Sequence, residues 1–204
     1  RIFLGWCVLV FFLSAQSADY VITDYGVNVD STRMNTQAIQ SIIDKVSTDG
    51  GGTIVIPKGV FLSGALFFKP NTKLRLTEGA VLKGSDNIAD YPLIPSRMEG
   101  KSIHYYAALV NAYHVDSFAI SGPGKIDGNG LKYWKYFWAY RDSMKLKGKS
   151  ATNLEVHRPR LLFIWGCDKV TISRVKLHDS GPLTCINVMM CSSKIVIFAH
   201  LSDL

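Results

Sequence analysis

Cysteine is scarce in this chain: Cys7, Cys167, Cys185 and Cys191 are the only thiols in 204 residues, and no C-x-x-C pair occurs. That spacing excludes a zinc ribbon. The three thiols beyond the apolar leader cannot close a full disulfide set, so they read as buried apolar side chains. Charge is sparse too, at 19% against 48% hydrophobic residues, which excludes a disordered chain. Apolar runs long enough to span a bilayer are absent. The longest, residues 2–13, follows Arg1 and precedes Ser14-Ala15-Gln16-Ser17. A run of about 12 residues is short for a span and suits the core of a signal peptide. Residues 1–17 are therefore assigned as signal peptide and 18–204 as one mature domain. Export to a periplasm or to the outside is expected, with no stable membrane insertion after cleavage. Acid is in deficit, leaving a net charge of +7. That balance favours nucleic acid, an anionic polysaccharide or a membrane surface as partner, or is simply a solvated basic surface.

Tight hairpin turns are missing where they would be expected. Between residues 49 and 85, short β-branched or aliphatic runs (53–56, 61–68, 73–76 and 81–82) alternate with breakers, yet no Asn-Gly or Asp-Gly joins them. The runs are too short for core helices and read as strands. Pro57-Lys58-Gly59, Lys69-Pro70-Asn71 and Glu78-Gly79-Ala80 suit corners better than reversals. Strands that turn corners in one sense imply a winding solenoid, each turn burying its apolar face on the next. Upstream, Ile39, Ile42, Ile43 and Val46 form one helical stripe, with Asp30-Ser31-Thr32 or Asn35 as cap and a stop before Gly50-Gly51-Gly52. A helix placed there would cover the open end of the stack. Downstream, residues 114–120, 167–172 and 191–197 align, and Cys167 and Cys191 stand about 24 residues apart, one solenoid turn. Ladder packing is their expected role.

Tyr25-Gly26-Val27, Thr36-x-Ala38-Ile39-Gln40, the run from Gly50 through Pro57 to Gly59, and Phe61-Leu62-Ser63-Gly64 together resemble the opening segment of polygalacturonases, glycoside hydrolase family 28. Leu82-Lys83-Gly84-Ser85, Asp90-Tyr91-Pro92, Ala108-Leu109-Val110-Asn111-Ala112 and Ile120-Ser121-Gly122-x-Gly124-x-Ile126-Asp127-Gly128-Asn129-Gly130 continue it. The resemblance implies an all-β fold, a right-handed parallel β-helix with an N-terminal capping helix. It also implies inverting hydrolysis of α-1,4-linked galacturonan without cofactor or metal, and acidic plant polysaccharide rather than nucleic acid as partner.

A glycosidase flanks the scissile bond with two carboxyl groups, about 6.5–9.5 Å apart when the enzyme inverts. The family supplies them through Asn-Thr-Asp and Asp-Asp, followed by Gly-His-Gly and Arg-Ile-Lys. None of these occurs in this sequence. In the family they belong to later turns. The chain is thus expected to be the N-terminal part of such an enzyme, truncated at its C-terminal end, with no catalytic residue of its own and inactive alone. Residues 181–187 also depart from the family pattern, with Thr184 alone matching. Two alternatives stay open. One is a non-catalytic module or remnant that binds acidic polysaccharide. The other is a pectate-lyase-like enzyme, which would call for an Asp cluster to hold calcium and a Brønsted base; no such cluster is visible.

Candidate substrate contacts come from two places. Residues 130–158 break the repeat and crowd Tyr133, Trp134, Tyr136, Phe137, Trp138 and Tyr140 into one stretch, with Trp134, Phe137, Trp138 and Arg141 at helical spacing. Trp134 and Trp138 could stack on sugar rings, or the helix could pack against the solenoid. Lys145, Lys147 and Lys149 follow in a basic loop. Arg158 and Arg160 flank Pro159 ahead of a strand at 161–165, which puts both on one face, where a guanidinium could fork onto a uronate carboxylate. No residue is assigned to a metal.

Overall fold

The structure, a computed structural model, describes residues 18–98, 101–151, 159–178, 186–189 and 196–201. The chain opens with β1 (Asp19–Val21), β2 (Asp30–Met34) and α1 (Thr36–Thr48). It continues through β3 (Gly52–Ile56), β4 (Gly59–Ser63) and β5 (Leu66–Phe68), then β6 (Thr72–Leu76) and β7 (Ala80–Gly84). An excursion, β8 (Leu93–Met98) and β9 (Lys101–Tyr106), precedes β10 (Val110–Tyr113). After β11 (Ala119–Ser121) and β12 (Lys125–Asp127) comes α2 (Leu131–Leu146). The last elements are β13 (Leu162–Trp165), β14 (Thr171–His178), β15 (Ile186–Met189) and β16 (Val196–Leu201).

Every described pairing is parallel except the β8–β9 hairpin. The long sheet runs β1-β3-β6-β11-β14-β12-β7-β4-β2, with β16 also on β14. It is bent: the first half of β14 pairs with β11 and the second half with β12. That bend makes two faces of each coil, and the sheet β15-β13-β10-β5 makes the third. The parallel β-helix expected from the sequence is the architecture present.

Residues one coil apart stand above one another, so side-chain period becomes vertical packing. Ile54, Leu74, Ile120, Ile172 and Ile197 occupy one column of the register. Phe61, Leu82, Ile126 and Leu177 occupy a second, and Leu66, Val110 and Leu162 a third. The columns of described side chains are buried and form one continuous core. Cys167 lies buried within it: the Val115 N–H donates to its Sγ at 3.3 Å, and the thiol lies 3.3 Å from the Trp165 carbonyl. Cys167 is thus a buried thiol within the coil, whereas the expected ladder with Cys191 falls, like Cys185, outside the described residues.

The corners between the first two faces carry the expected breakers. Gly59, Gly79 and Gly122 take φ of 137°, 74° and 103°, and in the following coil Arg174 turns the corner at φ 61°. The expected strand at 61–68 divides in two, because Gly64 and Ala65 form another corner. There the Gly64 N–H donates to Thr36 Oγ1 at 2.7 Å and the Ala65 N–H to the Asp90 carbonyl at 3.1 Å.

Helix α1 takes the place of a third-face strand in the opening coil. Its four apolar stripe residues are all buried. Gln40 also closes the exposed edge of β5: its Oε1 accepts from the Phe67 N–H at 2.8 Å and its Nε2 donates to the Phe67 carbonyl at 2.9 Å. An edge that would template further strands is thereby capped by one side-chain amide. The expected helix cap differs. Asn35 sits at the N-cap without capping; its amide donates to the Asn28 and Arg33 carbonyls instead and tethers the preceding loop.

Candidate functional site

Both excursions leave the coil at the same corner, between the second face and the third. The β8–β9 hairpin follows β7 and precedes β10, and α2 follows β12 and precedes β13. They therefore rise side by side along one margin of the third face. The outward side of that face carries aromatics. Tyr113 and Trp165, partners in register, stack with centroids 5.8 Å apart and planes 11° apart, and Phe163 lies 5.6 Å from Tyr113. The Tyr113 hydroxyl donates to the Pro95 carbonyl at 2.8 Å and ties the hairpin to the face.

Arg160 is the second tie. It is only 6% exposed. Its guanidinium donates to Ser96 Oγ at 2.8 Å and to the Arg97 carbonyl at 3.2 Å. It lies 4.6 Å from the Tyr105 ring centroid and 5.5 Å from that of Phe163. Burial pulls its pKa below the ordinary guanidinium value, with Tyr105 opposing. Arg158, its expected companion, falls outside the described residues. The structure places Arg160 as a buried clasp between hairpin and coil.

Beside Arg160 is a small cavity of about 10 Å³, lined among others by Tyr91 and Tyr133, close to the smallest space that holds one water. Tyr133 Oη and Arg160 Nε are buried there with no hydrogen-bond partner among the described residues. The Tyr91 hydroxyl donates to the Ser85 carbonyl at 3.0 Å. Burial raises the Tyr133 phenol most, and Asp86, Asp90 and Tyr106 add to it. Burial likewise leads for Tyr91, followed by Tyr133 and Asp90. A phenol whose folded pKa exceeds its unfolded value of about 10 stabilises the fold fully below that pH, and the contribution is lost as pH rises through the folded value. We expect alkaline unfolding to begin above about pH 10 and the replacement Tyr133→Phe to flatten the pH dependence. Phenolate absorbance and helical circular dichroism recorded through one alkaline titration check this.

Helix α2 turns one stripe inward and another outward. Phe137 is buried on the inward stripe. On the outward one Trp134 and Trp138 stack, 5.8 Å apart at 10°, and the Arg141 guanidinium lies 3.9 Å from the Trp138 ring centroid. The two tryptophans are brought together, and Phe137 stands edge-on to Trp138 with centroids 5.5 Å apart. Arg160 is not part of this stripe; it lines the small cavity with Tyr133 of the first turn of α2. The position of Arg141 was legible as helical spacing, but its stacking partner was not.

The carboxylates of this region have structural partners. Asp127 accepts from Lys125 Nζ at 2.7 Å and from the Asn129 N–H at 3.0 Å, with His178 Nδ1 at 3.6 Å. Asp90 pairs with the Ser85 hydroxyl, and Asp86 with Lys132 at 3.5 Å. Among the described residues no group of three His, Cys, Asp or Glu side chains could hold a metal.

Stacked coils, a helix-capped end and two excursions on one margin define a pectin-lyase-like parallel β-helix protein. The exopolygalacturonase of Thermotoga maritima has this fold: it superposes with a TM-score of 0.75 over 92% of this chain and 47% of its own, at 22% identity. The profile of glycosyl hydrolases family 28 matches residues 47–201, and the chain belongs to that family. An exo-poly-α-D-galacturonosidase of Dickeya chrysanthemi is 42% identical over 125 residues, 54% of this chain and 19% of that protein. A probable polygalacturonase of Vitis vinifera is 28% identical over 177 residues, 82% of this chain and 34% of its own. The chain thus spans about a fifth to a third of the length of these relatives.

Proposed function

We propose that this chain forms the opening coils of an exported pectin-degrading hydrolase that cleaves α-1,4-galacturonan with inversion, and that these coils bind the polymer without cleaving it. The family match over residues 47–201 carries the reading. The basic balance of the chain suits a polyanionic substrate. Inversion requires two carboxyl groups flanking one bond with room for a water, and the sequence offers no adjacent Asp pair. Asp127, Asp90 and Asp86 already serve corners and ion pairs. Within the outward face, Trp134, Trp138 and the cations of α2 are the proposed polymer contacts, with Arg160 holding the wall that frames them.

The purified 204-residue chain incubated with polygalacturonate tests the absence of turnover. The expected result is neither new reducing ends nor unsaturated product. Reducing-end release would show a complete hydrolytic site. Ultraviolet-absorbing unsaturated ends that a chelator abolishes would mark a lyase instead.

A further inference from the structure

The stretch 131–149 carries Lys132, Lys135, Arg141, Lys145, Lys147 and Lys149 against Asp142 alone. Lys132 has Asp86 as partner; the other five have no ion pair among the described residues. Arg141 and Lys145 are four apart on one face, where like charges repel. The same helix exposes apolar surface: Tyr136 is 66% and Trp138 41% accessible. Trp134, Trp138, Arg141 and Lys145 follow helical spacing down a single outward stripe. From Trp138 to Lys145 that stripe runs roughly 10 Å at 1.5 Å per residue, enough for a short stretch of sugar chain.

We infer that this stripe is a binding strip for uronate-containing glycan and that Arg141 is its selectivity element, an inference that rests on the family reading above. Without ligand, the guanidinium lies against Trp138 as a cation–π pair. It covers that ring with a group that a neutral sugar cannot draw away. A uronate carboxylate offers the guanidinium a forked, charge-assisted pair, which is the stronger partner. As Arg141 swings to the carboxylate, the face of Trp138 opens to the apolar face of the pyranose ring. Lys145 then stands one turn further along for the next carboxylate. Those α2 cations that have no ion pair among the described residues favour an anionic occupant for the strip. Its alternation of ring and cation lacks the continuous outward apolar face by which a helix lies in a membrane surface.

Calorimetric titration of the full chain with trigalacturonate and with neutral galactotriose tests the assignment, with tryptophan emission as a second readout. Wild type is expected to prefer trigalacturonate by about tenfold or more, and Trp138→Ala to weaken that binding about tenfold. Arg141→Gln separates this inference from simple charge attraction. It should weaken trigalacturonate yet strengthen galactotriose, because the ring is no longer covered. Both positions are exposed, and unchanged circular dichroism confirms that each variant folds. Wild-type affinity for trigalacturonate in both variants would overturn the strip while leaving the family reading intact. Failure of the wild type to bind either sugar, or a preference for the neutral one, would count against the family reading as well. Binding to phosphatidylcholine vesicles containing phosphatidylglycerol, but not to trigalacturonate, would overturn the strip in favour of a membrane.

Discussion

Replacing Gly122 by alanine is expected to lower the melting temperature by about 10 °C or more, and to drive much of the protein into insoluble material. Gly122 turns the corner between β11 and β12 at φ +103°. A Cβ there would lie 2.0 Å from the carbonyl oxygen of Leu76 in the coil below. The obstacle is backbone and cannot rotate away, so the two coils must separate locally. Separation weakens the bond from the Gly124 N–H to the same carbonyl, 3.3 Å long, and disturbs the packing of Leu76 and Ile126. The strained φ alone costs roughly 1–2 kcal/mol for an L-residue. With the clash added, the loss should reach several kcal/mol, a large part of a typical domain's 5–15 kcal/mol. Gly26→Ala is the control, since its Cβ would meet nothing within 4 Å and only the φ of +80° resists it. Thermal unfolding of the two variants side by side checks the argument. Equal melting temperatures would show that coil spacing is softer than the register implies.

The second large effect is expected at Arg160. Truncation to alanine removes two charge-assisted hydrogen bonds from a buried side chain. It also opens space between Tyr105 and Phe163. Charge-assisted bonds contribute about 1.5–3 kcal/mol each, and the lost packing adds to that, so a destabilisation of roughly 3–5 kcal/mol is expected. Arg160→Met should cost less, because it keeps most of the volume between the rings while losing the bonds to the Ser96 hydroxyl and the Arg97 carbonyl. Hydrogen exchange locates the effect: amides of β8 and β9 should lose protection before those of the three ladder columns. Uniform loss across the chain would show that Arg160 supports the coil itself and not the hairpin.

What could be read from the sequence follows the range of the interactions. The ladder columns and corners are local patterns repeated once per turn, so Ile54, Leu74 and Ile120 announced themselves by spacing, and the α1 stripe by its period of 3.6. The hairpin was missed because its pattern is broken by Pro95, Ser96 and Arg97, and because what holds it, Arg160 and Tyr113, arrives much later in the chain. For the same reason Arg160 read as a candidate clamp for a uronate carboxylate; nothing near it in sequence reveals that Tyr105 and Phe163 lie against it. Arg174 at φ 61° shows that a corner can be imposed on an ordinary residue by the coils beneath it. For α2 the sequence showed which residues share a stripe, and only the fold shows that Arg141 lies on Trp138.

Recognition of an acidic polymer by these opening coils is the central proposal. Retardation of the purified chain in gels that contain polygalacturonate, against gels that contain neutral galactan, measures this directly. Strong retardation by polygalacturonate alone is expected, weakening as salt is raised because the contacts are partly ionic. Equal mobility in the two gels would contradict this recognition.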